Sequence, residues 1–139
     1  MTKNNVPQHI AIIMDGNRRW AKKHHLSILA GHDYAAKKVL ENIVEHAVKV
    51  GVKFITLWAF STENWQRDKK EVEGLLNIFR WGLKERVKRF VEKGVRLKVI
   101  GDVSKFPQDI KEGIEKAIEQ TKNGRNITAI LAVNYGGRD

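Results

Sequence analysis

His9-Ile10-Ala11-Ile12-Ile13-Met14-Asp15-Gly16-Asn17-Arg18-Arg19-Trp20 is the stretch on which the fold turns. Five apolar residues in a row end in an acid, a glycine and an amide, and two arginines and a tryptophan follow. A short unbroken apolar run bounded by turn residues predicts a strand over Ile10–Met14 buried on both faces, the habit of parallel sheets. Ligands of open α/β sheets bind where such strands end, at the carboxyl edge. A carboxylate there can hold a divalent cation, guanidinium forks suit phosphate oxygens, and the start of a following helix attracts anions. The residue types fit a diphosphate and its metal. Asp-Gly-Asn is also ordinary turn chemistry, so this stretch alone does not decide between a site and a turn.

Composition narrows the class. A chain of 139 residues predicts one domain, large enough to bury a core. No apolar run approaches the roughly 20 residues that span a bilayer, and Met1–Pro7 lacks the apolar segment of a secretion signal. With no cysteine there can be no disulfide or thiolate metal site, which fits a cytoplasmic domain. The net charge of +10 calls for an anionic partner. The basic residues around Lys37–Lys38 and Lys84–Lys93 nevertheless alternate with Glu41, Glu45, Glu85 and Glu92, as on a solvated helix face. No recognition helix, aromatic sheet or zinc pattern points to nucleic acid.

The rest of the chain repeats strand, loop, helix. An irregular basic stretch is expected from Lys22 through His24 and His25 to Gly31-His32, with both histidines solvated. From Asp33, Ala36, Val39, Leu40, Ile43, Val44, Ala47 and Val48 recur at helical spacing until Gly51. A second strand covers Phe54–Phe60. A longer helix carries Val72, Leu75, Leu76, Phe79, Leu83, Val87, Phe90 and Val91 to Gly94. The third strand, Val95–Ile100, alternates Arg96 and Lys98 with apolar neighbours and so has one less buried face. Pro107 opens a helix that ends at Asn123-Gly124, and the fourth strand, Ile127–Val133, runs into Asn134-Tyr135-Gly136-Gly137-Arg138-Asp139. The pattern predicts an α/β fold: a layered parallel sheet with flanking helices. The fourth strand is expected to lie open, as if the chain were truncated after it.

The second strand ends in Ser61-Thr62-Glu63-Asn64-Trp65-Gln66-Arg67, with hydroxyls, an acid, an amide, an aromatic and a guanidinium in one loop. By itself this suits a helix entry, with Ser61 or Thr62 as cap and Trp65 as a core plug. Two strands ending in ligand-type residues at one sheet edge make a binding site the better reading. Trp58 and Trp81 are expected in the core or an interface.

HIAIIMDGNRRWAKK, Gly31-His32, ITLWAFSTENWQR, LKVIGD and NYGGRD occur here in the order found in the cis-prenyltransferases. The chain resembles the N-terminal part of the undecaprenyl diphosphate synthase family over essentially its whole length. The resemblance implies that family's fold, one domain over residues 1–139 with its C-terminal part missing. It also implies condensation of isopentenyl diphosphate with an allylic diphosphate such as farnesyl diphosphate, using Mg2+, to give a cis-polyprenyl diphosphate, precursor of a carrier lipid. Asp15 is then the metal-linked catalytic carboxylate. Gly16, Asn17, Arg18 and Arg19 form the diphosphate-cradling turn with Trp20 at its edge, and His32 supports it. Ser61, Thr62 and Glu63 line the substrate pocket, Asn64 is the family's proton acceptor, and Trp65 and Arg67 complete the binding face. The family further implies a homodimer in full-length form, peripheral membrane contact through the lipid product, and no nucleic-acid partner.

Three departures qualify the resemblance. Ile28 stands where many members carry an arginine, which weakens the allylic phosphate clamp. Asp68 replaces a common proline. The family's C-terminal section, which supplies an Arg-x-Gly-Glu-x-Arg segment for isopentenyl diphosphate, a second metal-ligand glutamate and much of the dimer interface, is absent. This implies half of an active site and an isolated chain that is inactive. The alternative is a non-catalytic partner subunit of a heteromeric enzyme. Asp15, Arg19, Asn64 and Arg67 argue against it, since a degenerate subunit has no chemical need of them.

Overall fold

A computed structural model describes residues 5–60 and 62–136, apart from the side chains of Thr62 and Glu63. Four strands, β1 (His9–Ile13), β2 (Phe54–Phe60), β3 (Val95–Ile100) and β4 (Ile127–Val133), form one parallel sheet in the order β1-β2-β4-β3. β1 and β2 are neighbours, so the loops after both emerge side by side at the carboxyl edge, as the sequence predicts. β4 is interior, paired with both β2 and β3, and is not the open strand that the sequence suggested. The open edges are β1 and β3. Chain order misled because the last strand inserts between its predecessors.

Register separates the two faces. Ile55, Leu57, Ala129 and Leu97 lie on one face and are almost completely buried. They pack with Val44 and Ala47 of α3 (Leu40–Val50), Val87 of α5 (Val87–Lys93) and Ala117 of α6 (Gln108–Thr121). The opposite face carries Ile13, Phe54, Lys98 and Ile100, all exposed, Ile13 to 68%. Among the described residues, helices cover one face only. The expectation that β1 is buried on both faces is not met: among the described residues its apolar run has neither a strand beyond it nor a layer beneath it.

The segment after β1 is helical where an irregular stretch was expected. α1 (Asn17–Lys23) starts directly after Gly16, whose φ of 88° turns the chain from strand into helix. α2 (Ile28–Tyr34) begins five residues before the expected Asp33, because the Ser27 hydroxyl accepts from the Ala30 amide as an N-cap. A π turn, Ala35–Val39, carries α2 directly into α3. The next long helix repeats the plan: α4 (Lys69–Trp81), a π turn at Gly82–Arg86, then α5. Gly31 lets α2 lie close on α1, since a Cβ there would come within 2.4 Å of the Asn17 carbonyl oxygen.

Candidate active site

Asp15 sits just past the end of β1 with its side chain 83% exposed. Its Oδ1 accepts from the Gly16 amide at 2.7 Å, and Oδ2 lies 3.3 Å from Arg19 Nη2. The carboxylate is thus oriented but largely open to solvent. Trp20 is not in the cavity lining; it stacks between His24 and Tyr34, at centroid distances of 4.3 and 4.7 Å. His24 is exposed, as sequence reading had it, and also stacks on the Trp20 ring.

The centre of the site is a residue that sequence reading missed. Glu71, in the first turn of α4, has only 7% of its side chain exposed. Its Oε2 accepts from Arg18 Nη2 at 2.5 Å, and its Oε1 accepts from Arg67 Nη1 at 3.1 Å and from His32 Nε2 at 3.3 Å. One carboxylate thereby gathers groups from the loops after β1 and β2 and from α2. Burial pushes the Glu71 carboxyl up, but the hydrogen bond and charge of Arg18, with Arg67 and His32, bring it below its ordinary value. Burial also lowers the His32 pKa, against the pull of Glu71, so a neutral imidazole donates through Nε2. Gly31-His32 lies within α2 rather than at a helix start, Gly31 for close packing and His32 for Glu71. The signal available in sequence was Arg67 four residues before an acid at a helix start.

Beside this cluster an apolar cavity of about 370 Å³ lies between the two long helices and the covered sheet face. Asn17, His32, Asn64 and Arg67 line it, together with Leu57, Phe60, Leu75 and Phe79. Trp58 and Trp81 also line it, Trp58 donating to the Tyr135 carbonyl at 2.8 Å. Trp65 faces away: its Nε1 donates to Asn134 Oδ1 at 2.7 Å and its ring packs on Phe60 and Phe106. Thr62 begins a 3-10 turn, Thr62–Gln66, and Asp68, where the family often has proline, precedes α4. Ser61, Gly137, Arg138 and the side chains of Thr62 and Glu63 lie outside the described residues. Ile28 is 43% exposed and offers no cation to the Asp15 turn.

The family model described as "Putative undecaprenyl diphosphate synthase" matches residues 13–139. The chain belongs to this prenyltransferase family. It is 45% identical over 139 residues to an isoprenyl transferase of Clostridium perfringens, spanning all of this chain and 54% of that protein. It is 45% identical over 133 residues to an isoprenyl transferase of Neisseria gonorrhoeae, spanning 96% and 53%. The crystal structure of lavandulyl diphosphate synthase from Lavandula x intermedia, in complex with dimethylallyl diphosphate, superposes with a TM-score of 0.89 at 34% identity. That match covers 94% of this chain and 56% of the plant enzyme. A probable undecaprenyl diphosphate synthase from Campylobacter jejuni gives 0.77 at 31% identity, covering 97% and 58%. The chain thus spans about half the length of the relatives it matches.

Among the described residues, Asp15 is an exposed carboxylate just past the end of β1. Among the described residues no three acids or histidines converge as a ligand set. Magnesium keeps most of its waters and is commonly shared between one or two carboxylates and substrate phosphates. Asp15, exposed and aimed by Gly16, is the residue that fits.

Proposed function

We propose that this chain is the allylic-diphosphate half of a cis-prenyltransferase, which condenses isopentenyl diphosphate with an allylic diphosphate such as farnesyl diphosphate. The observation that carries this reading is the pairing of an apolar cavity with two arginines and a histidine gathered by Glu71 at the carboxyl edge of the sheet. A diphosphate needs cations and a prenyl tail needs a dry apolar slot; the two lie next to each other here. The diphosphate sits over Asp15–Arg19, and Arg18 and Arg67, already gathered by Glu71, help neutralise charge as the allylic C–O bond breaks. The isopentenyl alkene forms the new C–C bond and then loses a proton. Asn64 is an amide with no useful basicity near neutral pH, so it orients the proton acceptor, a water or a diphosphate oxygen, rather than taking the proton itself. Asp15, together with the diphosphate, would hold Mg2+, which would supply Lewis-acid stabilisation of the leaving group when bound.

The full-length protein on this reading is a homodimer producing a cis-polyprenyl diphosphate for a carrier lipid, in the cytoplasm, touching the membrane through its product. No helix among the described residues is long and apolar enough to cross a membrane. Calorimetry of the chain with farnesyl diphosphate and Mg2+ should show binding that an Asp15→Ala, Arg19→Ala variant loses; equal heats would overturn the proposal. Incubation with labelled isopentenyl diphosphate should give no long-chain product from these 139 residues alone. Holding both diphosphates in register is worth roughly 7–11 kcal/mol of barrier, and the second holder, by the resemblance, lies in the half that the relatives carry beyond this match.

A further inference from the structure

Gly101-Asp102 of LKVIGD and Asn134-Tyr135 of NYGGRD do not line the cavity, yet they meet against the loop after β2. Asn134 follows directly on β4, is 4% exposed and has a φ of 45°. Asparagine is one of the few residues with a Cβ that tolerates this left-handed backbone. Its side chain bridges two loops. Oδ1 accepts from Trp65 Nε1 at 2.7 Å, and Nδ2 donates to the Asp102 carbonyl at 2.9 Å. An indole can only donate and a carbonyl can only accept, so the bridge calls for both functions in one side chain, which an amide has and a carboxylate lacks.

The neighbours of Asn134 brace it. Gly101, at a φ of 104°, brings the loop after β3 so close to β4 that a Cβ there would collide with the Val133 carbonyl oxygen. The Tyr135 amide donates to the Phe60 carbonyl at 3.3 Å, and the Tyr135 carbonyl accepts from Trp58 Nε1. The end of β4 is thereby tied to the ends of both β2 and β3. Trp65 in turn packs on Phe60 and Phe106, at centroid distances of 4.8 and 5.4 Å. It stands between Asn64 and Arg67, both of which line the cavity, and the Arg67 amide donates to the Asn64 carbonyl at 3.2 Å.

We propose that Asn134 is a positioning residue of the site: it fixes the Trp65 indole from behind, and with it the turn that presents Asn64 and Arg67 to the ligand. The inference rests on the prenyl-diphosphate reading of the site. Arg67 reaches Glu71 at 3.1 Å from this turn, and a displacement of about 1 Å would take such a contact beyond hydrogen-bonding range. Asn134 acts on the ligand only through Trp65.

Calorimetry of the whole chain with dimethylallyl and farnesyl diphosphates, both with Mg2+, tests this. Asn134→Gly keeps the backbone conformation and removes the bridge; it should weaken Kd about tenfold for both ligands alike, since the displaced group serves the diphosphate they share. Trp65→Phe cuts the same bond from the other side, keeps a ring against Phe60 and Phe106, and should have the same effect. The double variant should bind no worse than either single one, because both remove one interaction. Thr121→Val is the control for stability alone. It deletes a buried hydroxyl that joins the Leu97 amide to the Ala117 carbonyl, and should lower the melting temperature with both affinities unchanged. Affinities unchanged in Trp65→Phe or in folded Asn134→Gly, or losses that multiply in the double variant, would overturn positioning through Trp65 while leaving the functional reading intact. Where Asn134→Gly fails to fold, Trp65→Phe decides by itself. No binding of either diphosphate by the unaltered chain would overturn both.

Discussion

Glu71 and Glu41, two helical acids beside one cavity, each gather three basic side chains, and they are built differently. Glu71 is the more buried acid, but two of its partners open to solvent: the Arg18 side chain is 53% exposed and Arg67 about a third. Glu41 is reached by Arg86, Arg89 and Lys93, and its nearest partner, Arg86, is the buried one. At the carboxyl edge, then, the acid is sheltered and the cations face outward, where an anion can share them. At Glu41 the cation is sheltered and committed to the protein. The same ion-pair chemistry serves binding in one place and enclosure in the other, and the difference lies in which sign is exposed.

Removing each acid separates the two most sharply. Glu41→Ala leaves Arg86 buried with carbonyl partners only, and truncating one side of a buried pair typically costs about 3–5 kcal/mol. Chemical denaturation should show a loss of that size. Glu71→Ala should cost less, about 2 kcal/mol, because Arg18 and Arg67 can turn back to water. Its larger consequence should be on ligand: diphosphate affinity falls because the arginines are no longer held together. Dimethylallyl diphosphate, too short to reach Glu41, should bind the Glu41 variant normally if it folds. Equal ligand effects from both substitutions would break the comparison.

Acid should take the two clusters apart in sequence. Burial lowers the His32 pKa below 6.5, so folding favours the neutral ring. That contribution is present above 6.5 and is lost as pH falls below it, since the unfolded chain binds the proton first. Both glutamates are depressed from 4.5; burial raises Glu41, but hydrogen bonds from Lys93, Arg89 and Arg86 bring it to about 2. Their contributions are present above 4.5 and are lost as pH falls, for Glu41 down towards 2. Stability measured from pH 7 downward should decline first at the Glu71 end, and His32→Gln should flatten the part just below 6.5. Glu41→Gln should flatten only the part below 4.5. A decline unaltered by either substitution would remove the electrostatic basis of the comparison.

Much of the fold was legible because apolar runs and turn glycines coincide. Phe54–Phe60, Val95–Ile100 and Ile127–Val133 are strands at the residues their composition indicates. The exposed Arg96 and Lys98 correctly marked the uncovered face of β3. Strand order was not legible, since nothing in Ile127–Val133 states that it inserts between β2 and β3. Nor was the bare face of β1: Ile13 is apolar yet exposed, and composition reports what a strand can bury rather than what covers it. At the site, Asp15, Asn64 and Arg67 were legible as residue types after strand ends, and His32 only through the family resemblance. Glu71 was not, because its partners Arg18 and His32 lie 53 and 39 residues away in sequence. Charges that looked like solvated helix faces proved to be divided, with Arg86 inside and Lys84 and Lys88 outside.

The smallest expected effect sits within the Glu41 cluster. Arg89 pairs with the same carboxylate as Arg86, yet its side chain is 54% exposed and it does not line the cavity. An exposed partner gains little from pairing: water already solvates the guanidinium, and ordering a long side chain offsets much of the attraction, leaving about 0–1 kcal/mol. Arg89→Met should therefore change stability by about 0.5 kcal/mol, and raised salt should erase even that difference, because screening acts on the exposed member of the cluster. The same replacement at Arg86 removes a donor from two backbone carbonyls as well as from Glu41, so its cost should be several times larger and insensitive to salt. Denaturant midpoints for the two variants at low and high ionic strength decide the matter. Matching costs would mean that Glu41 is served by interchangeable surface charges and that Arg86 holds no special place in the cavity wall.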